Sequence, residues 1–185
     1  MKRAFLWAFL LLPLATRPAA AAHWNVDYAK SRLGFTVAWS NEPFSAAFKS
    51  WKADIDFDPA DLAHARVAVT VDLASEASDE PDFDDGVKGP QGFQTTQFPA
   101  AHFTVQNVVH KSGNDYVATG TLTIRGITRP VTLPFKLAIS GHAAHMTGTA
   151  AVLRTDFGVG QGIWTAPSPV AHEVSVVIDL VATQS

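Results

Sequence analysis

The sequence predicts an all-β fold: an eight-stranded antiparallel up-and-down barrel interrupted by one long loop or short-helix insertion. Three observations carry that prediction. Seven stretches alternate apolar and polar side chains at period two, which marks half-buried strands, and an eighth is strand-like. Turn signals separate most of them, among them Asp58-Pro59, Ser112-Gly113-Asn114-Asp115, Arg125-Gly126 and Ser140-Gly141. No stretch carries a helical period of useful length. Sequential antiparallel strands with one apolar face form a sandwich or close into a barrel, and eight closed strands leave room inside for one ligand.

The N-terminus reads as an address. Met1-Lys2-Arg3 is followed by Ala4 to Ala15 without a polar side chain, then by Thr16-Arg17-Pro18 and four alanines. A basic start, an apolar stretch and a small-residue end form a secretory signal peptide, with cleavage expected after Ala22. A membrane anchor needs roughly twenty apolar residues, and Pro13 interrupts this run. The leader is therefore 1–22, the mature domain is 23–185, and the expected location is the periplasm. The mature chain keeps eleven basic against seventeen acidic side chains, a formal charge of −6. Phosphate backbones are bound by Lys and Arg, so nucleic acid is excluded as a partner. The chain has no cysteine, hence no disulfide and no thiol nucleophile.

The strands follow in order. Leu33, Phe35, Val37 and Trp39 share a face; so do Trp51, Ala53, Ile55 and Phe57. Val67, Val69, Val71 and Leu73 alternate with Arg66, Ala68, Thr70 and Asp72. Phe103 and Val105 come next, then Tyr116, Ala118, Gly120, Leu122 and Ile124, then Val131, Leu133, Phe135, Leu137 and Ile139. Ala144 to Val159 is strand-like without a clear phase, and Val174, Val176, Ile178 and Leu180 form the last strand. An apolar inner face serves any β core. Phe44, Phe48, Phe93, Phe98 and Trp164, however, fall in expected loops or strand margins. Aromatics gathered at one rim line a pocket mouth or plug a barrel end, and both readings stand at this point.

From Ala74 to Phe98 no strand pattern appears, and connections this long are often lids or binding loops. The segment opens with Glu76, Asp79, Glu80, Asp82, Asp84 and Asp85, and its second half, rich in glycine, argues against a stable helix. No glutamate closes an EF-hand loop, so the plain reading is a solvated acidic loop. Among the histidines only His142 and His145 lie close in sequence, in an expected hairpin turn, and no metal site is expected. Gly158-Val159-Gly160-Gln161-Gly162 lacks the following helix that a nucleotide loop needs. No cofactor is expected.

Several segments resemble one family. Trp24-Asn25-Val26-Asp27 with Ser31-Arg32-Leu33-Gly34-Phe35-Thr36-Val37, the hairpin from Gly120 to Val131, Arg154-Thr155-Asp156-Phe157-Gly158-Val159, and Phe98-Pro99-Ala100-Ala101-His102-Phe103 are similar to the YceI-like family. These are bacterial polyisoprenoid-binding proteins with a lipocalin-like barrel. The likeness spans nearly the whole mature chain. The long connection departs from it, being acidic and glycine-rich where the family carries an Arg-Asp pair and a His-Leu in short helices. Glu42-Pro43-Phe44 and Phe48-Lys49-Ser50-Trp51 resemble members found beside membrane b-type cytochromes. That resemblance implies a quinone-related ligand and such a cytochrome as partner, and the family implies homodimers.

The expected function is thus a periplasmic carrier or reservoir that binds a long apolar isoprenoid, a polyprenyl lipid or isoprenoid quinone, inside the barrel, and not an enzyme. Expected lining residues are Phe35, Val37, Trp39, Phe44, Trp51, Ile55, Val69, Val71, Phe103, Val105, Leu122, Leu133 and Phe135, with Phe93, Phe98 and Trp164 at the rim. A prenyl chain has no polar groups to satisfy, and each buried methylene contributes about 0.8 kcal/mol. Two alternatives compete: an envelope stress or interaction protein with a filled core, and a lipid-modifying enzyme using the acidic-loop carboxylates.

Overall fold

The computed structural model describes residues 21–185, so the expected leader lies outside it apart from Ala21 and Ala22. Eleven strands form one antiparallel sheet: β1 (Trp24–Val26), β2 (Arg32–Trp39), β3 (Glu42–Phe48), β4 (Trp51–Asp56), β5 (Arg66–Asp72), β6 (Glu76–Ala77), β7 (Ala100–Ser112), β8 (Asp115–Ile124), β9 (Ile127–Ser140), β10 (Ala143–Leu153) and β11 (Val170–Gln184). One helix, α1 (Pro81–Lys88), sits in the long connection.

The strand order is β4-β5-β7-β8-β9-β10-β11-β2-β3-β6, with β1 on β11. The two ends of this path meet. β3 runs through Lys49-Ser50 into β4, and β5 runs through a short turn of 3-10 helix into β6. β3 pairs with β6 while β4 pairs with β5, so two bent ribbons lie side by side and the sheet curls closed. Counted as staves, β2, β3–β4, β5–β6, β7, β8, β9, β10 and β11 are eight. The expected fold class holds, and the strand count differs for a local reason. β1 and β6 are too short to show a period, and β3 hides its alternation behind Pro43, Ala46 and Ala47. Phe44 and Phe48, expected in loops or margins, belong to this strand.

β1 fills the fork where β4 leaves β2. Trp24 pairs with Gln184 of β11, and on the other side Phe57 N–H donates to the Ala22 carbonyl at 2.9 Å. The Trp24 indole N–H donates to the Phe57 carbonyl at 2.9 Å. Phe57 meets Tyr116 edge-on at 6.1 Å and Tyr116 stacks on Phe135 at 5.4 Å, which plugs this lower end with aromatics.

Two irregularities shape the walls. A bulge in β7 between Val105 and Asn107 shifts the register against β8, so Val108 is the next residue buried. β10 stops at Leu153, and Arg154–Phe157 is a turn of 3-10 helix; this is why the stretch to Val159 has no single phase. The acidic run is also not the solvated loop expected. Glu76 is in β6 and fully buried, and α1 extends through Gly86, Val87 and Lys88 despite the glycine. Pro81 at its first turn fits the helix start, and Asp82 and Asp84 near the N-terminus complement its dipole.

Candidate functional site

The barrel interior is open rather than filled. Two chambers lie end to end, the upper of about 390 Å³ and the lower of about 200 Å³. Both fall in the scale of small-molecule pockets when taken together. Leu33, Val71, Leu122, Val152 and Val176 face both chambers and form a waist between them. Inward-facing residues of β5 are therefore only half buried, although nothing but interior lies before them.

The lower chamber has walls of strand alone. Trp51, Ile55, Val69, Phe103, Val105, Leu133 and Phe135 line it, and no charged or amide side chain does. The upper chamber takes Phe35, Val37, Trp39, Phe93 and Trp164, with Val71 and Leu122 at the waist. Two expected residues lie off the walls. Phe44, cross-strand from Val37, packs on Phe83 of α1 with ring centroids 4.0 Å apart and planes tilted by 44°, and braces the lid beside the lining. Phe98 lies under the Arg125 guanidinium at 5.9 Å, half-buried against the β8–β9 turn, because that turn reaches over the long connection. Arg125 donates there to the carbonyls of Pro90 and Gly92.

Residues outside the expected lining complete the upper chamber. α1 supplies Phe83, Val87, Asp82 and Gly86, and the segments beyond it and beyond β10 supply Gln91, Phe157, Val159 and Arg154. Only the hydrophobic pair Phe83 and Val87, four apart, could have hinted at a helix face.

Arg154 is buried without a carboxylate partner. Its five N–H groups meet five backbone carbonyls instead: Nε donates to Ala171, Nη1 to Val159 and Gly160, and Nη2 to Ala166 and Val170, all within 2.9–3.3 Å. The guanidinium thus spends every donor on folding the segment 159–171 into a wall, and leaves none for a ligand. Gly160 has φ +79° and passes so close that a Cβ would sit 2.0 Å from Nη1.

Glu76 is the opposite case. It lies 3.8 Å from Lys88 Nζ, and burial first, then the charge of Asp84, pushes its carboxyl up to about 7. Burial works against the Asp84 carboxylate too, but hydrogen bonds from the Ser78 hydroxyl and N–H hold it below its ordinary range. Neither Glu76 nor Asp84 lines a chamber; Asp82 is the one carboxylate that does among the described residues. No acid–base pair faces the cavity. His142 and His145 part ways, to Gln184 and Asp179. The only potential metal cluster among the described residues is His23, Asp54 and Asp56, exposed on the outer surface.

A model of the YceI-like domain matches residues 24–182. The chain belongs to the YceI-like domain family. Among its relatives, this YceI-like domain is 29% identical to a UPF0312 protein of Shewanella baltica (strain OS185), over 95% of this chain and 94% of that one. It is also similar to the crystal structure of Burkholderia cenocepacia BcnA, with a TM-score of 0.83 and 36% identity over 86% of this chain and 100% of that one. A polyisoprenoid binding domain from Saccharophagus degradans, implicated in plant cell wall breakdown, shares the fold at TM-score 0.68 and 16% identity, covering 90% of this chain and 100% of that one.

Proposed function

We propose that this protein is a periplasmic carrier or reservoir that holds the chain of an isoprenoid lipid, a polyprenyl lipid or an isoprenoid quinone, in its two chambers. One observation carries the reading: the chambers abut through an apolar waist, and the lower one offers nothing polar. A long prenyl chain matches that lining because it leaves no buried polar group unmet. The domain from Saccharophagus degradans is described as binding polyisoprenoids, which supports the same ligand class here. Membership of the family supports a binding protein rather than an enzyme. The apolar leader with its alanine end supports export, with cleavage after Ala22. A membrane b-type cytochrome as the source or acceptor of a quinone, and a homodimer, follow from the sequence resemblance alone.

Native mass spectrometry of the exported protein, followed by solvent extraction and lipid analysis, tests this. A stoichiometric prenyl lipid on a chain that begins at His23 is the expected result. A lipid-free protein that also takes up no quinone would overturn it and favour the interaction module with no ligand.

A further inference from the structure

α1 roofs the upper chamber through Phe83, Val87, Asp82 and Gly86, yet it buries none of its residues completely. Its apolar attachments are few. Phe83 meets Phe44 and Trp39, and Val87 packs beside Leu73 and Phe93. Its polar attachment is unusual. Glu76 lies in β6 and is 1% exposed, and with both acids ionised its two oxygens are the only buried side-chain nitrogen or oxygen atoms, among the described residues, that meet no hydrogen-bond donor. Lys88 at 3.8 Å is an ion-pair neighbour, too far to donate a hydrogen bond. A buried carboxylate without donors is an unfavourable state, whereas a protonated carboxyl has a donor of its own. The acceptor is at hand: Asp84 of α1 is within side-chain hydrogen-bond reach of Glu76 and is fixed by Ser78 at 2.6 Å through the hydroxyl and at 3.0 Å through the N–H.

We propose that Glu76 and Asp84 share one proton that latches α1 over the upper chamber, so that opening of this lid is coupled to loss of the proton. The charged groups acting on Glu76 are Asp84 and Lys88, both on α1. The other elements against it bring none: β3 opposes it with Phe48, and the turn before it is Leu73, Ala74 and Ser75. When α1 lifts, Glu76 meets water and returns toward its ordinary value of 4.5; when α1 is down it holds its proton up to about 7. The closed state therefore binds the proton more tightly. It is fully favoured below the open-state value, loses ground by about tenfold per pH unit between the two values, and levels off once pH has risen through the closed-state value. Faster exchange of cargo at higher pH follows, and this consequence alone rests on reading the chamber as a lipid site.

Hydrogen exchange of the mature, lipid-stripped protein tests the latch without any ligand. Protection of α1 amides, expressed relative to the intrinsic rate at each pH, is measured from about pH 4 to above pH 8, with β8 as internal reference. The expected result is protection of α1 that falls about tenfold per pH unit between the open-state and closed-state values, then levels off above about 7, while β8 holds. In Glu76→Gln the amide keeps a donor for Asp84 at every pH, so protection stays level. Lys88→Met removes the charge that favours ionised Glu76 and moves the fall to higher pH; Asp84→Asn removes the charge that opposes it and moves the fall to lower pH. A level profile in the wild type, the same fall in Glu76→Gln, or shifts in the reverse directions would overturn the proposal. Failure of lipid binding would leave these profiles unchanged, so the two readings fail separately.

Discussion

The two chambers differ in how their walls are made. The lower is walled by strands whose inward residues recur at every second position, and an aromatic plug of Trp24, Phe57 and Tyr116 lies at its end. The upper adds a helix, a 3-10 turn and an irregular segment to its strands. Strand walls hold themselves by ladder hydrogen bonds and apolar packing. The added pieces lack a ladder, so their order depends on single buried polar groups. Arg154 gives five donors to five carbonyls and makes the segment 159–171 rigid. Glu76 has one proton to give and ties α1 through Asp84. A saturated ion makes a fixed wall, and a carboxyl with one titratable bond makes a movable one.

The largest effect that would break this contrast is at Arg154. Arg154→Ala leaves five inward carbonyls without donors, and unmet buried acceptors are destabilising by about 1–3 kcal/mol each before water relieves some of them. A net loss of about 3–5 kcal/mol in urea unfolding is expected, together with loosening confined to 159–171. A loss under about 1 kcal/mol would show that the wall stands without its clamp. At the waist, Val176→Trp sharpens the comparison by sealing the lower chamber from the upper. Long prenyl chains should bind at least about tenfold more weakly, since two buried methylenes already correspond to that factor, while short-chain analogues keep their affinity. Equal weakening of both would mean that the chambers do not serve one chain. The smallest effect is at Phe98. Phe98→Ala removes a cation–π contact away from the chamber lining, an expected loss of about 0.5–1 kcal/mol, with lipid uptake unchanged. Reduced uptake in that variant would put Phe98 back among the lining residues.

The same division explains what the sequence made legible. Trp51, Ile55, Val69, Phe103, Leu133 and Phe135 were readable because a strand fixes which side each residue faces. β3 was not, because Pro43, Ala46 and Ala47 blur its two-residue pattern even though Phe35 and Val37 pair across to Ala46 and Phe44. The lid was hidden by composition: an acidic, glycine-containing octapeptide has poor intrinsic helix propensity, and packing of Phe83 against Phe44 and Trp39 overrides it. Arg154 stood in a recognisable Arg-Thr-Asp-Phe-Gly run, but its partners are carbonyls from Val159 to Ala171, and backbone acceptors leave no trace in residue identity. Glu76 looked like one acid of a solvated run; its burial follows from pairing with β3 across the bend, a contact between segments distant in the chain.

The central claim, that one apolar tunnel of two chambers receives an isoprenoid chain, has a built-in reporter. Trp39 and Trp164 line the upper chamber and Trp24 and Trp51 the lower, and these are all the tryptophans of the mature chain. The direct test is a fluorescence titration of the lipid-stripped protein with quinones of graded prenyl length. Affinity that climbs with each added isoprene unit, with quenching that reaches completion, is the result predicted. Affinity that does not depend on chain length, or no quenching at any length, would contradict the account.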